Sequence, residues 1–169
     1  MQPSTSQEEF LALVEQHKGA IIKVCSLYTR RAAEKDDLFQ EIIIQLWKAW
    51  PNFKGLSKFS TWLYRIALNT AISGLRKKKT DIVLMSGEDM PHFPDSDDHL
   101  EKEEKLKALY EAIQKLPEID RAIVLLYLED KSHEEMEDIL GISQGTLRVK
   151  MNRAKEKLKR TIQTMSYGA

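Results

Sequence analysis

Gly141-Ile142-Ser143-Gln144-Gly145 fits G-x-S-x-G, the turn on which many hydrolases carry a nucleophilic serine. That chemistry needs a strand before the serine, and a histidine and an acid placed after it. Here Met136, Ile139 and Leu140 precede Ser143 at helical spacing, and no His and acid follow in the required context. Acyl transfer is therefore excluded, and the chain is not expected to be an enzyme. His92, Asp95, Asp97, Asp98 and His99 supply imidazole and carboxylate, the groups that bind metals. Their spacing lacks the sixth-position glycine of a calcium loop, and their surroundings read as a tether, so they form a solvated acidic run. No metal and no cofactor are expected. Cys25 is the single cysteine, which rules out an intramolecular disulfide, and its neighbours Val24 and Leu27 suit a small buried thiol.

The remaining chemistry is that of charge. The net charge is zero, but its distribution is uneven. Residues 1–80 carry 13 Lys+Arg against 7 Asp+Glu, residues 81–120 carry 4 against 12, and residues 121–169 carry 9 against 7. Cations displace condensed counterions from DNA and clustered carboxylates are repelled by it, so the two ends suit nucleic acid and the middle avoids it.

The C-terminal basic block has a defined pattern. Ser132-His133-Glu134-Glu135 is a capping box that opens a short helix with Met136, Ile139 and Leu140 on its apolar face. Gly141 ends it, Ile142 fills the turn, and Ser143 caps a second helix. That helix turns Leu147, Met151, Ala154 and Leu158 inward and leaves Arg148, Lys150, Arg153, Lys155 and Lys157 largely outward. The arrangement is a helix-turn-helix. Ser143, Gln144 and Thr146 stand at the helix start, where short polar groups and free backbone N–H groups meet phosphates and base edges. Arg148, Lys150 and Arg153 follow, suited to phosphate or guanine. Glu137 departs from the pattern: it occupies a first-helix position that usually holds a small residue against the partner helix. Either that contact is looser or Glu137 leans outward.

In the other half, Ser6-Gln7-Glu8-Glu9 reads as a capping box opening a helix to about Arg31, with Phe10, Leu13, Val14, Ile21, Val24 and Tyr28 on one face. A second helix is expected from Asp36 or Asp37 to the residue before Pro51, with Leu38, Ile42, Leu46 and Trp50 as its stripe. Residues 51–58 read as a loop. Ser60 or Thr61 then caps a third helix, with Trp62, Ile66, Asn69 and Ser73 on one side and Arg65, Arg76, Lys77, Lys78 and Lys79 making its exposed parts and C-terminal end basic.

Between residues 81 and 100 periodicity gives way to Asp, Ser, Pro, Gly and Met. The fold class is all-α: two small helical domains, 6–80 and 101–167, joined by a flexible acidic linker, 81–100. Hydrophobic content of 42% allows each half its own core. The N-terminus lacks a basic stretch followed by an apolar one, and no window reaches membrane-spanning length, so a cytoplasmic protein without membrane insertion is expected.

Two groups of segments carry a family resemblance. Asp37-Leu38-Phe39-Gln40-Glu41, with Phe59-Ser60-Thr61-Trp62-Leu63-Tyr64-Arg65-Ile66-Ala67-Leu68-Asn69 and Arg76-Lys77, resembles sigma region 2. Leu116-Pro117 with Arg121, then Gly141-Ile142-Ser143-Gln144-Gly145-Thr146-Leu147 with Arg153-Ala154, resembles sigma region 4. The chain is thus similar to the extracytoplasmic-function sigma factors, which direct RNA polymerase to promoters.

The resemblance implies bacterial core RNA polymerase and promoter DNA as partners, and a monomer when free. It assigns Asp37, Gln40 and Glu41 to polymerase binding. It assigns Lys54, Lys58, Phe59, Trp62, Arg65, Asn69 and Arg76 to the minus-10 element, read as an opened strand with a flipped base. Trp62 chiefly supports the pocket, and Ser73 stands where many members have Asp. The recognition helix, with Ser143, Gln144, Thr146, Arg148, Lys150 and Arg153, is assigned to the minus-35 element. Members are often held inactive by an anti-sigma protein. The rival reading is a free-standing helix-turn-helix regulator that binds duplex DNA as a dimer and uses its N-terminal helices for dimerisation or ligand sensing.

Overall fold

The computed structural model describes residues 3–80 and 100–167, and every element among the described residues is helical. The order is α1 (Pro3–Gln16), α2 (Lys18–Tyr28), α3 (Ala32–Ala49), a 3-10 turn (Trp50–Asn52), α4 (Phe59–Thr80), α5 (Leu100–Gln114), α6 (Glu118–Leu128), α7 (His133–Leu140) and α8 (Gln144–Tyr167). The acidic run of His92 to His99 lies outside the described residues.

The apolar stripes explain the packing. Phe10, Val14, Ile21, Val24 and Tyr28 are buried, as are Ile42 and Leu46 of α3, and α2, α3 and α4 pack on one another. In the second half Leu147, Met151, Ala154 and Leu158 of α8 are buried, and α8 packs on α5, α6 and α7. α6 buries Ala122 to Leu126 without interruption, because α2, α4, α5 and α8 all pack against it. Cys25 is fully buried, and burial pushes its thiol up to about 12.

Four boundaries differ from the sequence reading. The first helix is two helices, interrupted at His17. His17 Nδ1 donates to the Leu13 carbonyl at 2.9 Å, and its ring rests 4.8 Å from that of Phe59. A side chain that takes a helical carbonyl competes with the ladder, and Gly19 adds little propensity to resist. Ser6 does not cap. It lies inside α1, and its Oγ accepts the Trp50 indole N–H at 2.8 Å, tying α1 to the end of α3. Asp36 and Asp37 do not start α3 either. Arg31 is its extended N-cap residue, Ala32 and Ala33 favour the helix, and Glu34 reaches back to the Arg30 amide. The third expected helix begins at Phe59, which leaves Ser60 and Thr61 in its first turn.

Candidate nucleic-acid interface

The helix-turn-helix forms as its residues dictate. Ser132 Oγ accepts the Glu135 amide at 3.1 Å and caps α7. Gly141 closes α7 at φ 67°, a left-handed conformation that costs glycine little, with its amide 2.8 Å from the Glu137 carbonyl. Ser143 Oγ accepts the Thr146 amide at 3.4 Å ahead of α8. Ser143, Thr146, Arg148 and Arg153 are exposed, and Gln144 and Lys150 are partly so. The glutamate at the small-residue position is half-buried, and Glu137 Oε2 accepts Gln144 Nε2 at 3.0 Å. The carboxylate thus stays in the motif by pairing with the recognition helix.

At the other end an aromatic cluster builds the surface before α4. Trp62 lies 4.9 Å from Phe53, 5.4 Å from Phe59 and 6.1 Å from Trp50, ring centre to ring centre. Trp62 therefore supports the loop in residues 53–58, at whose outer edge Lys54 and Lys58 are exposed. Leu56 on the same loop is 93% exposed. Asn69, exposed on α4, lines a groove of about 460 Å³ with Glu41, Gln45, Thr70, Ser73, Gly74 and Lys77. Asn69 and Glu41, given different roles from the sequence, share one concave surface.

Asp37, Gln40 and Glu41 are exposed together on α3, with Glu41 Oε1 accepting Gln45 Nε2 at 2.9 Å. Ile44 and Trp47 continue that face at 46% and 45% exposure. Sequence reasoning passed over both. The signal was the run Ile42-Ile43-Ile44: three consecutive apolar residues on a helix cannot all face one core.

Arg65 and Arg76 lie on α4 as expected, but both reach the second half of the chain. Arg65 donates to the Asp138 carbonyl, and Arg76 lies 3.4 Å from Glu118. Lys58 faces Glu135 at 3.9 Å.

This geometry agrees with known proteins. The family described as "Sigma-70 region 2" matches residues 13–80, and "Sigma-70, region 4" matches residues 106–158. The ECF RNA polymerase sigma-E factor of Haemophilus influenzae is 32% identical, over 94% of this chain and 90% of its own. The chain belongs to the extracytoplasmic-function sigma factors. ECF RNA polymerase sigma factor SigW of Bacillus subtilis is 29% identical over 94% of this chain and 91% of its own. The same fold occurs in the sigma factor RpoE solved with the anti-sigma factor NepR from Bartonella quintana: TM-score 0.76, 21% identity, covering 92% of this chain and 98% of that one. CnrH, solved with the cytosolic domain of CnrY, superposes with a TM-score of 0.68 at 21% identity, over 94% of this chain and 90% of its own. The protein is therefore a non-enzymatic initiation factor that directs promoter-specific transcription, and the free-standing regulator is not favoured. Among the described residues, no helix of this sigma factor is long and apolar enough to cross a membrane.

Proposed function

We propose that this sigma factor divides its work among three surfaces. The exposed face of α3, with Asp37, Gln40 and Glu41, binds core RNA polymerase, and Ile44 and Trp47 extend that face as its apolar part. Lys54, Lys58, Phe59, Trp62, Arg65, Asn69 and Arg76 take the minus-10 element as an opened strand. Ser143, Gln144, Thr146, Arg148, Lys150 and Arg153 take the minus-35 element as duplex. The observation that carries this reading is the order of the two matched regions along one chain, 13–80 and then 106–158.

Physical chemistry supports each assignment. Acidic and amide groups on an otherwise basic half suit a basic docking partner. A cationic loop beside aromatic rings and a groove suits an unstacked strand. A helix N-terminus carrying hydroxyls and followed by arginines suits the major groove. The working units are 6–80 and 101–167, with 81–100 between them, and the protein acts in the cytoplasm as a monomer when free. RpoE and CnrH were each solved with a second protein, and a protein inhibitor of the anti-sigma type is proposed here too.

Run-off transcription with purified core polymerase on fragments of the source genome tests the reading. Start sites are expected downstream of two shared sequence blocks about one to two helical turns apart. Starts without shared blocks, or none above core enzyme alone, would contradict it.

A further inference from the structure

His17 belongs to none of the three proposed surfaces. It stands between α1 and α2 with φ −109° and ψ 14°, so the chain bends there instead of running on as one helix. The Leu13 carbonyl receives both the His17 backbone amide, at 3.1 Å, and Nδ1 of its ring, at 2.9 Å. A carbonyl oxygen only accepts, so Nδ1 must carry a proton. In the neutral ring Nε2 is then a lone pair, a hydrogen-bond acceptor. His17 makes no other side-chain hydrogen bond among the described residues, and no buried side-chain nitrogen or oxygen there lacks a partner. Nε2 is therefore open to solvent.

The ring lies 4.8 Å from that of Phe59, tilted by 56°. Phe59 opens α4, and its own ring is 6.0 Å from Phe53, 5.4 Å from Trp62 and 6.4 Å from Trp50. His17 thus joins, from the end of α1, the aromatic cluster that supports the 53–58 loop. Within that cluster the Phe rings carry no polar atom, and an indole only donates. Trp50 spends its N–H on Ser6. The lysines nearby, Lys18 beside His17 and Lys54 and Lys58 on the loop, are exposed and likewise only donate. His17 is the member of the cluster that offers an acceptor, and its bond to Leu13 fixes the ring before any ligand arrives.

We infer that His17 is a further base-reading residue of the minus-10 surface, whose Nε2 accepts a hydrogen bond from the exocyclic amino group of an unstacked base. The inference rests on the assignment of Phe59 and its loop to the opened strand. Unstacked bases settle on aromatic rings and present their edges to polar side chains. Adenine, cytosine and guanine each carry an amino donor. Thymine has none, and the carbonyls flanking its one ring N–H turn their lone pairs towards that of Nε2. Position 17 therefore selects against thymine, while the exposed Lys18, Lys54 and Lys58 suit the phosphates of the same strand.

The test uses the full chain bound to core polymerase, titrated with a forked fragment from a mapped start site whose minus-10 strand is unpaired. Each adenine, cytosine and guanine of that strand is replaced in turn by purine, 2-pyrimidinone or hypoxanthine, which lack only the amino group. At one position the wild type should bind roughly three- to tenfold more weakly, the worth of one neutral hydrogen bond. Two variants then separate reading from support. Asn sets an N–H where Nδ1 stands and nothing where Nε2 does, whereas Gln reaches the place of Nε2 with an acceptor oxygen and gives up the bond to Leu13. His17→Asn should keep its melting temperature and its polymerase binding yet lose the dependence on the amino group, and His17→Gln should keep most of that dependence. A wild type indifferent to every amino group would overturn the inference whether or not the variants fold. So would full dependence in His17→Asn, which would make the histidine only a brace between α1 and α4. Failure to find any start site would instead fault the functional reading.

Discussion

Gln144 Nε2 donates to Glu137 Oε2 at 3.0 Å, joining the two helices of the helix-turn-helix across the turn at Gly141. The glutamate therefore has two effects. It holds the first recognition-helix side chain in place, and it puts a negative charge close to where DNA would lie. Glu137→Gln keeps a hydrogen-bond acceptor and removes the charge. Duplex promoter affinity should rise by a few-fold, with fold stability changed by less than about 0.5 kcal/mol, because only a partly exposed pair is altered. Gel shift and thermal melting check both parts, and reduced affinity would mean that the carboxylate positions Gln144 in a way the amide cannot.

Arg148 and Arg153 are exposed on α8. Each is expected to neutralise one phosphate, so Arg148→Ala or Arg153→Ala should weaken duplex binding and lower the slope of log K against log salt by about one. Titrations over a range of salt concentrations measure this, and unchanged slopes for both variants would remove them from the interface.

Asn69 lines the α3–α4 groove without being part of the buried core. Asn69→Ala should leave polymerase binding intact while reducing promoter opening by the worth of a base-edge contact, about 1–3 kcal/mol. Permanganate footprinting alongside a polymerase-binding assay separates the two. Equal loss of both would assign Asn69, like its groove neighbour Glu41, to polymerase docking.

The Cys25 thiol, with an ordinary value of 9.0, is pushed up to about 12 by burial. A group whose folded value is raised favours the fold fully below its unfolded value, and that contribution is lost as pH rises through the folded one. Stability should therefore fall between about pH 9 and 12, when the unfolded chain releases a proton that the folded one retains. Burial raises Tyr28 and Tyr64 as well, so the thiol's share is the difference from Cys25→Ala. Denaturant melts across this range should show a smaller alkaline loss in the variant, and identical slopes would show that the thiol is not sealed.

Much of the fold was legible because amphipathic spacing records which face is buried. Leu147, Met151, Ala154 and Leu158 were all placed inward, and Ser132 and Gly141 were recognised as the two ends of α7. Short polar residues were less informative near other helix ends. Ser6, Asp36 and Asp37 suit a cap, yet α1 and α3 run through them, because Ala32, Ala33 and the Glu34 contact start α3 earlier. The contacts between the two halves were not legible. Lys23 and Glu129 are 106 residues apart, Arg65 and Asp138 are 73 apart, and each alone reads as an ordinary solvated charge.

The most direct test of the account is capture of purified bacterial core RNA polymerase by this protein, beside a Asp37→Lys/Glu41→Lys variant. Both substituted residues are exposed on α3, so the variant should fold. The account predicts stoichiometric binding by the wild type and its loss in the folded variant. Equal binding by both would contradict the assignment of α3 as the polymerase face, and no binding by either would contradict the proposed function itself.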